Sequence, residues 1–514
     1  MTYRILPAHH ACTDQCNHAA SSLAAGIIDA SADPAAAGNR LRSPRDLGDA
    51  DVLRLNRGSP RILIKGGTII SMDPAVGDFA EGDLLMEGGR ILQVAPHIEA
   101  TAVTIDAAGH IVLPGFCDPH IHAWQGALGR LIPNNVTTDE EDRGIATPQP
   151  HPTRSYQNVL HNIFAPVYRP EDCYAGTLAT LLGALNGGIT TVCDNAHNSR
   201  TPAHSDACVE ALFDSGVRGI HAYGRPRSGR WDERFPSDAY RLRKSYFSSG
   251  DGLHSMRMYM LGRDPDEEFD QVIAVRRDLD LWISFDSGLH LKPLAEMYGD
   301  GRFDGRETIN HGSFFTPEQK KAIIGAGAKV NVCPRIEAQF RYGDVPYQEW
   351  VDAGLNPAIS NDDPATYAIN MFSEMQCLYA FQRARVLKDR LDGHLSLPRL
   401  ATLRDMLEAA TIRGAENCGL DHLVGSLTPG KRADLILIDT DNPNLYPINN
   451  AVCTAVQGAS IGHVKTVFVD GRLVKWKGGL VGVDFQRVKQ AVTRSQDHLF
   501  QAVKWPLAPI DFTD

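Results

Sequence analysis

The sequence lacks several features, and each absence narrows the class of protein it encodes. No apolar run reaches the roughly 18 to 20 residues that a membrane-spanning helix needs. Residues Met1–Gly26 lack the charged-then-apolar pattern of a secretory signal, so we expect no such leader. The formal net charge of −11 shows no excess of positive charge, which argues against general binding to nucleic acid or to anionic membranes. Ten cysteines scattered over 514 residues are typical of reduced thiols, so we expect a cytoplasmic protein.

What the chain does contain is ordinary for a globular enzyme with a large core, at 43% apolar and 22% charged residues. Residues 1–58 show no sustained period of two or of 3.6 and are interpreted as an N-terminal extension. Short β-rich segments with Gly-Gly turns follow Arg61, and similar segments recur after Ala433. Strands at both flanks predict one small β-sandwich domain built from residues 59–113 and 425–482. Residues 483–514 are interpreted as a C-terminal helical extension.

The segment between the two flanks, residues 114–424, predicts a (β/α)8 barrel of the TIM type. It contains eight β-rich runs separated by helical stretches such as Pro170–Asn186, Ser205–Asp214 and Thr316–Ala326. An open doubly wound sheet is the alternative, but no Gly-x-Gly-x-x-Gly follows the first strand. The eight runs are Phe116–His122, Gly188–His197, Gly216–Gly224, His254–Gly262, Leu279–Ser287, Thr308–Gly312, Lys329–Pro334 and Asn356–Asp363.

Candidate metal ligands stand at the ends of three of these strands. His120 and His122 share one side of the first strand, because side chains alternate with a period of two, and both imidazoles can reach one cation. A lone His-x-His is a weak signal. However, His311 ends the sixth strand and Asp362 ends the eighth, and the C-terminal ends of barrel strands meet at one face. The pattern therefore predicts a metal site at the top of the barrel.

Several motifs together resemble the amidohydrolase superfamily, in its cytosine-deaminase-like and chlorohydrolase-like branch. The resemblance runs from about Arg61 to Gly482. It is carried by Pro114-Gly-Phe-Cys-Asp-Pro-His-Ile-His122, His311-Gly312, Asn361-Asp362 and the stretch Gly425-Ser-Leu-Thr-Pro-Gly-Lys-Arg-Ala-Asp434.

The resemblance implies roles for the candidate residues. His120 and His122 are implied as ligands of one divalent metal ion, with zinc first and iron or manganese compatible with the same donors. Asp362 is implied as both ligand and proton acceptor, and His311 as a ligand or as the group that polarises the substrate. The metal would lower the pKa of bound water towards about 7.

The sequence departs from the family pattern on the fifth and fourth strands. The fifth-strand ligand is His290 or Asp286, which share strand parity; we favour His290 as the ligand and place Asp286 in the substrate site. The family's His-x-x-Glu is missing there, which counts against simple cytosine-like deamination. The fourth strand holds no lysine of the kind that bridges two metals in dihydroorotase-like members, so one metal ion is expected.

The function predicted from these features is hydrolysis of a carbon–nitrogen bond, by deamination or cyclic amide opening, in a small heterocyclic or aromatic molecule. His197, Trp124 and Gln125 lie at strand ends or just after them and are further candidates for substrate binding. Alternatives are hydrolytic dechlorination, a metal-dependent lyase such as a decarboxylase, and a catalytically inactive scaffold. The resemblance also implies a homo-oligomer, a dimer or larger.

Overall fold

The computed structural model of the chain describes most of its sequence. Residues Met1–Arg40 form one unit, and residues Leu41–Asp514 form a second unit that contains the barrel. The N-terminal extension predicted for residues 1–58 lies almost wholly outside the described residues. The described ranges are 40–41, 55–56, 60–132, 156–232, 234–248, 252–261, 266–286, 303–340 and 344–505.

Eight parallel strands, each hydrogen-bonded to the next in chain order, form the centre of the molecule. Their side chains are almost all buried on both faces, as expected for strands enclosed by helices. All eight predicted strands are present, and the predicted barrel is confirmed. The strands are Phe116–Ile121, Ile189–Ala196, Arg218–Tyr223, His254–Leu261, Ile283–Asp286, Glu307–Asn310, Lys329–Val332 and Ala358–Ile359.

The barrel closes between its first and eighth strands. Ile121 and Asp362 form a parallel bridge. The backbone N–H of His122 donates to the carbonyl of Asp362 at 2.9 Å, and the N–H of Asp362 donates to the carbonyl of His120 at 2.9 Å. The closing hydrogen bonds therefore belong to the residues that were predicted to bind the metal.

Helices surround the barrel and begin where the sequence signals them. Pro170–Asn186 has the predicted bounds, whereas the next helix begins at Pro202 rather than at Ser205, because Pro202 is pre-organised for the first turn. Thr316 caps its helix by accepting from the N–H of Gln319. The main helices are Pro170–Asn186, Pro202–Ser215, Asp238–Tyr246, Asp266–Asp278, Pro317–Gly325, Pro334–Gln339, Tyr347–Ala353, Met371–Leu391, Leu403–Ala410, Ile412–Cys418 and Phe485–Val503. Shorter or irregular helical turns are Ala123–Leu128, Gln157–Phe164, Ala165–Val167, Ala451–Cys453, Thr454–Gly458 and Ile461–His463.

A second, mixed sheet joins strands from both flanks of the barrel. Leu435–Asp439 pairs antiparallel with His110–Pro114, although more than 300 residues separate them in the sequence. The interior of this sheet buries apolar side chains from both flanks, including Ile64, Val112 and Phe468. Its strands before the barrel are Ile62–Ile69, Phe79–Glu87, Arg90–Ala95, Val103–Asp106 and His110–Pro114. Those after it are Leu435–Asp439, Val464–Val469, Arg472–Trp476 and Gly479–Leu480.

None of the helices in the described ranges combines the length and the apolar character that crossing a membrane requires. The last helix, Phe485–Val503, packs against Pro170–Asn186, and its Phe500 ring lies 5.8 Å from that of Phe164.

The turn Ala123–Leu128, which directly follows the two first-strand histidines, packs tightly on the helix Pro170–Asn186. A Cβ atom on Gly176 would meet the backbone carbonyl oxygen of Trp124 at 2.3 Å. A Cβ on Gly183, in the same helix but exposed, would meet nothing within 4 Å. The absence of a side chain at Gly176 therefore sets the position of Trp124.

This contact predicts opposite effects for the same substitution at two positions of one helix. Gly176→Ala should lower the free energy of unfolding by about 1–3 kcal/mol, because the obstructing atom is backbone and cannot rotate away. Gly183→Ala should raise it by about 0.8–1 kcal/mol through helix propensity alone. Urea unfolding of both variants measures the difference, and equal effects would contradict the close approach.

Candidate metal centre

Three imidazoles and one carboxylate converge at the C-terminal end of the barrel. His120 Nε2 and His122 Nε2 are 3.2 Å apart. Asp362 Oδ1 lies 3.2 Å from His122 Nε2 and 3.5 Å from His120 Nε2, and Asp362 Oδ2 lies 3.5 Å from His311 Nε2. All four side chains are at most 7% exposed.

Backbone conformation at two strand ends aims these groups inward. His311 has a backbone φ of 66° and Asp362 has a backbone φ of 64°. Both values lie in the left-handed region, which residues other than glycine rarely adopt. A strained backbone conformation of this kind persists only where the surrounding structure fixes it, and such conformations are concentrated at functional sites. The closing hydrogen bonds of the barrel fix Asp362 in this way.

The Nδ1 atom of each histidine, which faces away from the centre, contacts a neighbouring residue. His122 Nδ1 lies 3.1 Å from the carbonyl of Asn195, His311 Nδ1 lies 3.3 Å from Glu337 Oε1, and His120 Nδ1 lies 3.6 Å from Cys333 Sγ. The oxygen acceptors beside His122 and His311 place the proton on Nδ1 and leave the lone pair of Nε2 free to face the centre, whereas the Cys333 thiol beside His120 can donate or accept.

These residues fit a divalent metal ion. Ligand atoms at about 2.1 Å from a tetrahedral ion are separated by about 3.4 Å, which the spacings of 3.2–3.5 Å match. Nitrogen and carboxylate oxygen donors are the set that zinc, iron and manganese accept. The predicted ligands His120, His122, His311 and Asp362 therefore lie together.

Burial and charge keep His120 and Asp362 in the forms that bind metal, whereas the pKa of His122 is raised, because the hydrogen bond and charge of Asp362 outweigh the effect of burial. Burial lowers the pKa of His120 to about 3, so this imidazole stays neutral. Burial alone would raise the pKa of Asp362, but the neighbouring imidazoles of His120, His122 and His311 lower it to about 2. Asp362 is therefore ionised throughout the neutral pH range.

The fifth-strand position is filled by Asp286 in the described residues. Its Oδ1 lies 3.4 Å from His311 Nε2, and its Oδ2 lies 3.7 Å from His122 Nε2. His120, His122 and Asp286 each offer a ligand atom within 4.8 Å of the others. His290, which the sequence favoured as the ligand on this strand, lies outside the described residues.

Two residues that were not among the predicted site residues, Arg227 and Tyr259, contact Asp286. Arg227 Nη2 donates to Asp286 Oδ2 at 2.5 Å, and the Tyr259 hydroxyl donates to the same oxygen at 2.7 Å. Tyr259 lies near the end of the fourth strand, a position that periodicity alone could have selected. Arg227 follows the third strand in an irregular loop, where no sequence pattern points to it.

Aromatic rings form one wall beside the ligand cluster. His197 lies 4.3 Å from His122, 5.4 Å from Trp124 and 5.4 Å from Tyr259, measured between ring centroids. Gln125 Nε2 donates to the hydroxyl of Tyr156 at 2.7 Å. His197, Trp124 and Gln125, predicted to bind substrate, therefore lie at or beside this wall.

Three buried polar atoms of this wall have no hydrogen-bond partner among the described residues. They are Trp124 Nε1, which is a donor, and His197 Nε2 and Gln125 Oε1. His197 Nδ1 lies 3.0 Å from the carbonyl of Asn195, so its Nε2 is an acceptor, as is Gln125 Oε1. Buried polar groups without partners are uncommon and call for an explanation.

The chain is similar to proteins of known families. Residues 282–474 match the amidohydrolase family. A 5-methylthioadenosine/S-adenosylhomocysteine deaminase from Symbiobacterium thermophilum is 29% identical over 454 residues, covering 80% of this chain and 93% of the relative.

Solved structures show the same fold. An adenosine deaminase from Xanthomonas campestris with bound zinc superimposes with a TM-score of 0.72 at 19% identity, over 86% of this chain and 98% of its own. Atrazine chlorohydrolase from Arthrobacter aurescens, in complex with zinc, gives a TM-score of 0.70 at 21% identity, over 85% of this chain and 100% of its own. The resemblance of this chain to the amidohydrolase superfamily, indicated by its sequence motifs, is confirmed by the family match over residues 282–474 and by the similarity to the deaminase.

Proposed function

We propose that this protein is a metal-dependent hydrolase that uses an activated water molecule to replace an amino group on a small heteroaromatic ring. The observation that carries the proposal is the convergence of the Nε2 atoms of His120, His122 and His311 with the Asp362 carboxylate. The predicted enzyme class, a hydrolase of carbon–nitrogen bonds other than peptide bonds, is confirmed by the curated relatives, which are deaminases.

The proposed metal is a single divalent ion held by His120, His122 and Asp362, with His311 and Asp286 beside it. When bound, such an ion supplies water that ionises near neutral pH. Zinc is proposed first, because two solved structures with this fold contain it. The cytoplasmic location and the homo-oligomer stay predictions from the sequence.

Asp362 is the residue placed to move the proton. Its low pKa keeps it ionised, and its two oxygens face different imidazoles, so one can bind metal while the other accepts a proton from water. The same carboxyl can then pass that proton to the leaving amine. His311, held at Nδ1 by Glu337, presents Nε2 towards the same centre. With Nε2 protonated as well, His311 would donate a hydrogen bond to the negative charge that develops on the substrate.

The aromatic wall supports a flat heterocycle as the substrate. The rings of His197 and Tyr259 lie at 26° to each other, and a planar ring stacks favourably on such surfaces. The free donor of Trp124 and the free acceptors of His197 and Gln125 match the alternating donors and acceptors on the edge of an amino-heterocycle. The deaminases among the relatives carry names of purine nucleosides, a substrate class of this chemistry.

Hydrolytic dechlorination is the second candidate, and one observation favours it. The sequence lacks the acid of the family's His-x-x-Glu, since Leu289 stands three residues after Asp286. An amine needs a proton in order to leave, whereas chloride leaves without one. The structural neighbour atrazine chlorohydrolase is named for that reaction. The product, ammonia or chloride, separates the two candidates.

Metal content tests the proposed site directly. We expect about one equivalent of zinc, iron or manganese per chain, lost in His120→Ala because a ligand is removed. Asp362→Asn should keep most of the metal and lose at least about 100-fold in turnover, because the proton acceptor is gone. Elemental analysis measures the metal, and His422→Ala, an exposed histidine, is the control. A wild-type protein that takes up no metal would contradict the proposal, and two equivalents would contradict a mononuclear site.

A screen of amino- and chloro-heterocycles, with assays for ammonia and chloride, tests the substrate class. For a substrate found in this way, Trp124→Phe should raise KM about 2- to 10-fold, because the ring is kept and one hydrogen-bond donor is lost. Trp476→Phe, the same change in the second sheet, should leave KM unchanged. An unchanged KM in Trp124→Phe would exclude the indole N–H from substrate binding.

A further inference from the structure

Arg227 is a buried positive charge that is separated from the candidate metal ligand His122 by one residue, Asp286. Its side chain is 11% exposed, and its Nη2 donates to Asp286 Oδ2 at 2.5 Å and to the Tyr259 hydroxyl at 3.3 Å. Asp286 Oδ2 in turn lies 3.7 Å from His122 Nε2. A cation so close to a divalent metal repels it, so the presence of Arg227 in this position needs a physical reason.

The reason lies in the number of carboxylates at the centre. Asp362 and Asp286 both face the imidazole cluster, so this part of the site carries two negative charges when the histidines are neutral. A neutral ligand in place of Asp286 would leave one. Arg227 pairs with the additional carboxylate and reduces the local charge from −2 to −1.

Arg227 and Tyr259 also occupy one of the two oxygens of Asp286. Both donate to or contact Oδ2, and the Tyr259 hydroxyl completes a closed set of contacts by accepting from Arg227 while donating to Asp286. Oδ1 is left directed towards His311 Nε2 at 3.4 Å. A carboxylate held in this way offers one oxygen, whereas a free carboxylate can offer two.

We propose that Arg227 and Asp286 act as one charge-balanced unit in metal binding, with Arg227 as the positioning and charge-compensating residue for the Asp286 carboxylate. The unit takes the place of a single neutral ligand on the fifth strand. This inference rests on the proposed metal-dependent function. It follows that the effects of changing the two residues on metal affinity are not independent.

The test is a double-mutant cycle read out as the Kd for Zn²⁺, measured on the full chain by competition with a chromophoric chelator. Asp286→Asn should weaken Zn²⁺ binding about 10- to 100-fold, because it removes a carboxylate and leaves the Arg227 charge uncompensated. Adding Arg227→Met to Asp286→Asn should recover at least about 10-fold of this loss, because the repelling cation is removed.

Three variants separate charge from shape and from general damage to the fold. Arg227→Lys in the Asp286→Asn background keeps the charge and should recover nothing. Arg225→Met in the same background changes a neighbouring arginine that pairs with Glu268 instead, and should also recover nothing. Tyr259→Phe removes a hydrogen bond without a charge and should change the Kd less than Asp286→Asn does.

The outcomes distinguish this inference from the proposed function. Recovery in Arg227→Met/Asp286→Asn but not in the lysine variant supports charge compensation. A double variant that binds Zn²⁺ no better than Asp286→Asn, while thermal unfolding shows it folded, overturns the inference and leaves the metal site standing. A wild-type chain that binds no Zn²⁺ overturns the proposed function itself.

Discussion

The closure of the barrel between its first and eighth strands is the constraint on which the candidate site depends. The eighth strand is only two residues long, Ala358–Ile359, so the seam extends beyond it through the backbone of Asp362. The same peptide groups that close the sheet carry the side chains of His120, His122 and Asp362. Distances between ligand atoms are therefore set by strand pairing rather than by flexible loops, which gives the precision that a metal site requires.

Side-chain hydrogen bonds between the first strand and the segment after the eighth strand also stabilise the closure of the barrel. The Asn361 amide donates to Asp118 Oδ2 at 2.8 Å, and the backbone N–H of His120 donates to Asp118 Oδ1 at 3.2 Å. One buried carboxyl thus ties the first strand to the eighth, directly below the ligands. Burial raises the pKa of Asp118 to about 7, despite these hydrogen bonds. The Asp118 of the family-like motif is therefore explained by strand closure.

Local patterns in the sequence were sufficient to predict the fold. Eight β-rich runs and the Pro and Thr signals at helix starts are properties of short segments, and each is found close to its predicted position. The pairing of Leu435–Asp439 with His110–Pro114 was predictable in kind, because both flanks show the same strand pattern, but its register was not. The register depends on packing between segments that no local period describes.

The site was predictable only in part, for the same reason. Candidate ligands at the ends of regular strands, such as His120, His311 and Asp362, follow from parity and from the rule that strand ends meet. Arg227 reaches the site from an irregular loop, and the direction of its side chain depends on its ion pair with Asp286. Parity could not choose between Asp286 and His290. Asp286 contacts two imidazoles, an arginine and a tyrosine, whereas His290 lies outside the described residues.

The shortness of the eighth strand has a consequence for the local stability of the barrel. A two-residue strand contributes few ladder hydrogen bonds, so the seam is where the sheet should open at the lowest free energy and exchange its amide hydrogens first. A ligand that bridges His120 and Asp362 would bind across this opening and hold the two edges together. Binding to the closed form alone stabilises it by mass action, by about 2.7 kcal/mol at a free ligand concentration 100 times its Kd. The proposed metal centre would then also stabilise the closed form of the barrel.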